Sequence, residues 1–251
     1  MRTISITRVL GVAAAAALTA CNLSPSSASL TVRGSMPSGA VASRLHIAAS
    51  MLSSKGALGP GQLLGNPGSL QISMYTLYIS QSADCSNPVI VQDYGSSPVA
   101  KDIVLAPTLF AGSPPAGSYN CIGVKMSDLL HMRPSTSFGV CDSTVTYPES
   151  IYNTNNTNPT DTAAFMRDIN LQPIAPLGTN ASPIAEPVLI LFTMDTTAAY
   201  ARGFTQGQVI KLGAALTVPS TATFVWGGNN TVLSDSASAT CNVNPGQPTF
   251  Q

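Results

Sequence analysis

Acid–base or nucleophilic chemistry needs a base, an acid and a nucleophile brought together, and this chain has few residues suited to it. Its two histidines are His46 and His131. His131 stands close to Ser127 and Asp128, the one stretch where a serine, an acid and an imidazole fall together. No G-x-S-x-G elbow presents a serine. Ser127-Asp128 therefore reads as a turn at a strand end, and His131 as a surface residue. His46 lies apart from any acid and reads as half-exposed packing.

The carboxylates are scattered: Asp84, Asp93, Asp102, Asp128, Asp142, Glu149, Asp161, Asp168, Glu186, Asp195 and Asp235. None falls in a D-x-D-x-D-G calcium loop. A calcium site built from separated loops and a glycosidase pair stay open on sequence alone. Surface solvation is the expectation for each acid. Trp226 is the single tryptophan, and Gly227-Gly228-Asn229-Asn230 follow it. Its ring with the amides of Asn229 and Asn230 has the makings of a sugar-stacking platform. Phe224, two residues back on the same strand face, favours a core position instead. Tyr75 and Tyr78 are placed on opposite faces of one strand by simple alternation.

Composition narrows the function classes. Of 251 residues, 11 are Lys or Arg and 11 are Asp or Glu, a formal net charge of +0. Only 9% are charged, against about 25% in ordinary domains. No cation surplus exists to neutralise phosphates, so nucleic acid is excluded as a partner. A coiled coil and a charge-driven disordered chain both need more charge. Hydrophobic residues at 44% suffice for a core, and 20 Gly with 19 Pro interrupt the chain too often for long helices.

Arg2 and Arg8 precede an apolar stretch from Val9 to Leu18, which ends in Leu18-Thr19-Ala20-Cys21. The stretch is too short to span a hydrocarbon core of about 30 Å. A basic start, a short apolar run and small residues form an export signal. Its last four residues resemble the bacterial lipobox, in which a small residue precedes an invariant cysteine. The resemblance implies that a diacylglyceryl group is attached to the Cys21 thiol and that residues 1–20 are removed. Asn22, in place of an aspartate, implies outer-membrane sorting in a host with an outer membrane. The membrane is then a partner through the N-terminal lipid. With Arg2 and Arg8 gone, the mature chain carries about −2, too little for electrostatic steering.

Of the five cysteines, Cys85, Cys121, Cys141 and Cys241 remain for the body. An even number in an exported chain points to two disulfides. Three connectivities are possible, and Cys85–Cys121 with Cys141–Cys241 is favoured: one ties a loop to a nearby strand, the other staples the C-terminus to the middle. No C-x2-C pair exists for zinc and no C-x-x-C-H for haem, so no metal or cofactor is expected.

The elements that must position these residues read as short strands. Residues 21–29 form the lipidated cysteine and a small, polar tether. Residues 30–241 read as a single elaborated domain. A strand at 30–33 and a short helix at 40–53 come first, then a Gly/Pro loop to residue 68. Strands follow at 70–79, 89–91, 102–105 and 119–126, with turn residues between them. Polar low-complexity sequence at 152–159 marks an irregular insertion over 146–183, with a short helix over Thr162–Ile169 capped by Asp161. Val188 to Phe192 is apolar at every position, as in a central strand covered on both sides. Strands at 209–212, 216–218, 223–226 and 231–233 precede a loose tail at 242–251. This rhythm predicts a mainly β protein, a Greek-key β-sandwich with irregular insertions and at most short helices. The alternating strand, the Cys-bearing loop and Ala116-Gly117-Ser118-Tyr119 resemble transthyretin-like Greek-key domains over about residues 69–135. That resemblance implies a fold and no activity.

The expectation is an exported, lipid-anchored envelope protein, non-enzymatic, that binds a protein or glycan or supports an assembly. The alternatives are a glycan-binding module near Trp226 and a hydrolase with a site of scattered carboxylates.

Overall fold

The computed structural model describes residues 28–35, 60–150, 166–174, 185, 187–205, 207–226, 231–244 and 248–250. Within them the side chains of 35, 224–226, 231, 243, 244, 248 and 249 are not described. The fold is mainly β and sandwich-like.

One sheet has four strands: β1 (Leu30–Ser35), β6 (Thr108–Gly112), β13 (Ser220–Trp226) and β16 (Pro248–Phe250), in the order β16-β13-β1-β6. The larger sheet runs β11-β10-β8-β3-β4. Its members are β3 (Pro67–Ser80), β4 (Val89–Asp93), β8 (Cys121–Pro134), β10 (Pro187–Thr193) and β11 (Val209–Lys211). β5 (Val99–Asp102) pairs with β3, and β9 (Tyr147–Ser150) with β8. Two smaller sheets complete the fold among the described residues: β7 (Gly117–Tyr119) with β12 (Leu216–Val218), and β2 (Gln62–Gly65) with β14 (Thr231–Asp235) and β15 (Thr240–Asn244).

Alternation decides which side chains meet. Leu30 and Val32 from β1, Leu109 and Phe110 from β6, and Ala222 from β13 join one buried cluster. Leu70, Ile72 and Met74 from β3, Val124 and Met126 from β8, and Ile190 and Phe192 from β10 complete it from the larger sheet. Burying a large apolar side chain contributes roughly 1.5–3 kcal/mol, so this shared core holds the two sheets together.

β10 is buried on both faces. Val188, Ile190 and Phe192 enter the main cluster, while Leu189 and Leu191 enter a second one on the outer face. The cover there is α1 (Thr196–Arg202) with Phe204 and Ile169. β10 and β11 are parallel neighbours. Parallel neighbours cannot be joined by a hairpin and need a crossover of a dozen or more residues. The segment carrying α1 supplies it.

Several sequence expectations are corrected. The fourth strand continues past Met126 to Pro134, because Leu130 and Met132 keep the core-facing alternation. Ser127-Asp128 is therefore inside β8, not a strand-end turn. The third strand is Val99–Asp102 rather than 102–105, which is a turn held by the Asp102 carboxylate. The stretch read as a Gly/Pro loop contains β2, and β6 was not foreseen. The tail is not loose over its described residues: the end of β15 and all of β16 lie in it, and Phe250 is buried against Phe192 with ring centroids 5.6 Å apart. Residues 166–169 are not helical; Arg167 bridges to Pro173 across a turn. The helix read at 40–53 and residues 161–165 lie outside the described residues.

Candidate functional site

Cys21, His46, Asn229 and Asn230 lie outside the described residues. Trp226 ends β13 with its backbone opposite Pro248, and its side chain is not described. His131 is half-buried in β8, opposite Gln71 and Pro148.

The acids have local duties. The Asp93 carboxylate accepts from the Gly95 N–H and from Thr76 Oγ1, both at 2.9 Å. Asp84 accepts from the Ser86 N–H and hydroxyl, and Asp142 from those of Thr144. Asp168 accepts from Asn170 and Gln172, Asp195 from Thr197 and Ala198, and Asp235 from Ala237 and Ser238. Asp102 closes the turn after β5 and also takes the Ser69 hydroxyl at 2.5 Å. These are Asx turns and helix caps, so each of these solvent-facing acids also closes local backbone structure.

Donation to the ionised form favours it. The Ser86 hydroxyl and N–H hold the Asp84 carboxyl below the usual range. The Gly95 N–H and the Thr76 hydroxyl do so for Asp93. The Thr144 N–H lowers Asp142, and the Gln62 amide with the Ala237 N–H lowers Asp235.

Asp128 and Glu149 differ: both are buried, at 0% and 4% exposure. They sit on the neighbouring strands β8 and β9, where β8 bulges away from β3 between the Met74–Met126 and Ile72–Leu130 pairs. Ser150 Oγ donates to Asp128 Oδ2 at 2.6 Å, and Ser127 Oγ accepts from the Leu129 N–H at 3.1 Å. Asp128 and Glu149 each make a further interaction. The arrangement satisfies polar groups at a bulge. The serine proton is directed at the carboxylate itself, not at an imidazole as a nucleophilic triad requires.

The larger sheet carries an aromatic and polar patch on its outer face. β3 has a bulge between Met74 and Thr76. Met74 and Leu77, three residues apart, both enter the core. Tyr75, Thr76 and Tyr78 consequently share the outer face, which corrects the expectation that the two tyrosines oppose each other. An extra residue reverses the parity of everything beyond it. Lys125, opposite Thr76, places its Nζ 5.7 Å from the Tyr75 ring centroid. Burial pushes the Tyr78 hydroxyl upward, against a Thr76 hydrogen bond that lowers it. Rings, an ammonium, hydroxyls and the Asp93 carboxylate are the chemistry that stacks on and hydrogen-bonds a polyol.

The structure pairs Cys85 with Cys121 and Cys141 with Cys241, with Cα–Cα distances of 5.3 and 5.1 Å. The first disulfide lies under Arg202. That guanidinium donates to the carbonyls of Asp84, Cys85 and Ile169 and lies 5.2 Å from the Phe204 ring centroid. Sequence reading missed this role, although Arg202 stands just before Gly203 at a helix end. The disulfides are compatible with an exported chain.

Among the described residues, no group of three or more His, Cys, Asp or Glu is placed to hold a metal. No helix there is long and apolar enough to cross a membrane. Comparison with known proteins finds no matching family model, no similar curated protein and no similar solved structure.

Proposed function

We propose that this chain is a lipid-anchored protein of the cell envelope, sorted to the outer membrane, whose β-sandwich body binds or scaffolds rather than catalyses. The observation that carries this reading is the tetrad Leu18-Thr19-Ala20-Cys21 after a basic, short apolar leader. Two disulfides in the body support the export half. Use of the described aspartates other than Asp128 as turn and cap acceptors supports the non-enzymatic half. The test is metabolic palmitate labelling with detergent partitioning of wild type and Cys21→Ser. Wild type is labelled and enters the detergent phase, and the variant is unlabelled. Equal labelling of the two overturns the assignment.

A second reading is a glycan-binding module, favoured by the bulge that gathers Tyr75, Tyr78 and Lys125 on one face. Its site is then this face rather than the region of Trp226. Tyr75→Ala with Tyr78→Ala abolishes binding to cell-wall oligosaccharides if the reading holds. Unchanged binding, or none in the wild type, rejects it.

A further inference from the structure

We infer that the corner of the sandwich where β1 begins is a membrane-facing surface, seated on the bilayer that holds the lipid anchor. The inference rests on lipidation of Cys21 and adds which surface of the body meets the membrane.

Chain length and exit point set the geometry. Described structure starts at Ala28, which is buried, and β1 starts at Leu30 between β6 and β13. Leu30 is opposite Gly112 on one side and Ser220 on the other, and Ser29 O accepts from the Ser220 N–H at 3.2 Å. The anchor therefore joins an interior strand of its sheet, at one end of it. The seven residues from Cys21 to Ala28 reach at most about 25 Å fully extended, and a flexible chain of that length averages about 15 Å. β8 has 14 residues, starting at Cys121 near this corner and ending at Pro134. At about 3.3 Å per residue its far end lies about 40 Å away.

The chemistry of the corner matches. Three stretches without a charged residue meet there among the described residues: 28–32, 110–119 and 216–222. They are joined by the β1–β6, β1–β13 and β7–β12 pairings. Ser29, Ser113, Pro115, Ala116 and Pro219 are exposed on it. No ion in these runs has to be dehydrated when the corner meets headgroups. The turn before β7 is fixed in place, because Tyr119 Oη donates to Pro115 O at 2.7 Å and Pro114 is buried. Charge stands at its rim and at the far end: Asp195 is exposed beside Asn120, whose carbonyl accepts from the Met194 N–H, and Arg133 is exposed at the far end of β8.

The experiment uses the full lipidated protein in vesicles of phosphatidylethanolamine and phosphatidylglycerol. A benzophenone side chain is placed at Ser113 or, as the far-end control, at Thr136, both exposed. After irradiation, protein–lipid adducts are counted by mass spectrometry, and palmitate labelling is measured on the same preparations. Ser113 is expected to yield at least fivefold more lipid adduct than Thr136. Inserting about 20 Gly/Ser residues between Ser26 and Ser27 is expected to remove that difference while leaving palmitate labelling intact. Equal adduct yields at the two positions in labelled, native-tether protein overturn the inference and leave lipidation standing. Absence of palmitate overturns both.

Discussion

An aspartate whose carboxylate reaches the backbone N–H two residues on closes a turn without help from another part of the chain. Asp84, Asp93, Asp142 and Asp235 do this in the structure, and donors to each hold its pKa below the ordinary value. The linkage sign follows from that depression. A carboxyl lowered on folding contributes stability above its unfolded pKa of about 3.9 and loses it as pH falls through the lower folded value. Thermal melts are therefore expected to be flat between about pH 7 and 5 and to fall below about pH 4. Asp93→Asn should flatten part of that acid limb. A midpoint between pH 5 and 7 would contradict this assignment. Asp128 is fully buried. Ser150→Ala removes the hydroxyl that donates to it and should destabilise by about 1–3 kcal/mol, read as a lower urea midpoint at unchanged slope.

At the scale of elements, α1 shows how a short helix is specified by its ends. Asp195 accepts from the N–H groups of Thr197 and Ala198, and Gly203 closes the helix at φ 121°. Asp195→Ala should cost about 1 kcal/mol, within the usual 0.5–2 for a lost cap, and should increase amide exchange in α1. Unchanged exchange there would show that packing of Ala199 alone holds the helix. Both end signals are in the sequence, yet the run Thr196 to Arg202 has no apolar stripe for periodicity to detect. The long strands were legible for the opposite reason, since β3 and β10 carry dense apolar patterns. Their finer structure was not. A bulge adds a residue with no compositional mark at Tyr75, so the shared face of Tyr75 and Tyr78 emerged only from the pairing with β8. β2 and β16 were missed because strands of 4 and 3 residues are too short to show a period. Of the candidate site residues, the cysteines were readable from their even number. The use of the acids was not, because a turn acceptor and a solvated carboxylate look alike in sequence.

For the molecule as a whole, the two disulfides constrain the unfolded chain unequally. Cys85 and Cys121 are separated by 36 residues, Cys141 and Cys241 by 100. Chain-entropy reasoning assigns about 3.8 kcal/mol to the shorter loop and about 4.7 kcal/mol to the longer. The longer loop includes β10, β11, β12, β13 and β14, strands that belong to each of the four sheets. Cys141 also lies in the connection between β8 and β9, and Cys241 lies in β15, next to β14. Its cross-link thus limits how far the pieces of the sandwich separate on unfolding. Cys141→Ser with Cys241→Ser should destabilise by about 2–5 kcal/mol. It should also raise the urea slope, since a freer unfolded chain exposes more surface. The most slowly exchanging amides of β3 and β8 should lose protection along with those of β14 and β15, because the effect acts through global unfolding. Loss of protection confined to β14 and β15, at unchanged slope, would instead make Cys141–Cys241 a local staple on the three-stranded sheet. The stability of the sandwich would then rest on the shared core of its two large sheets.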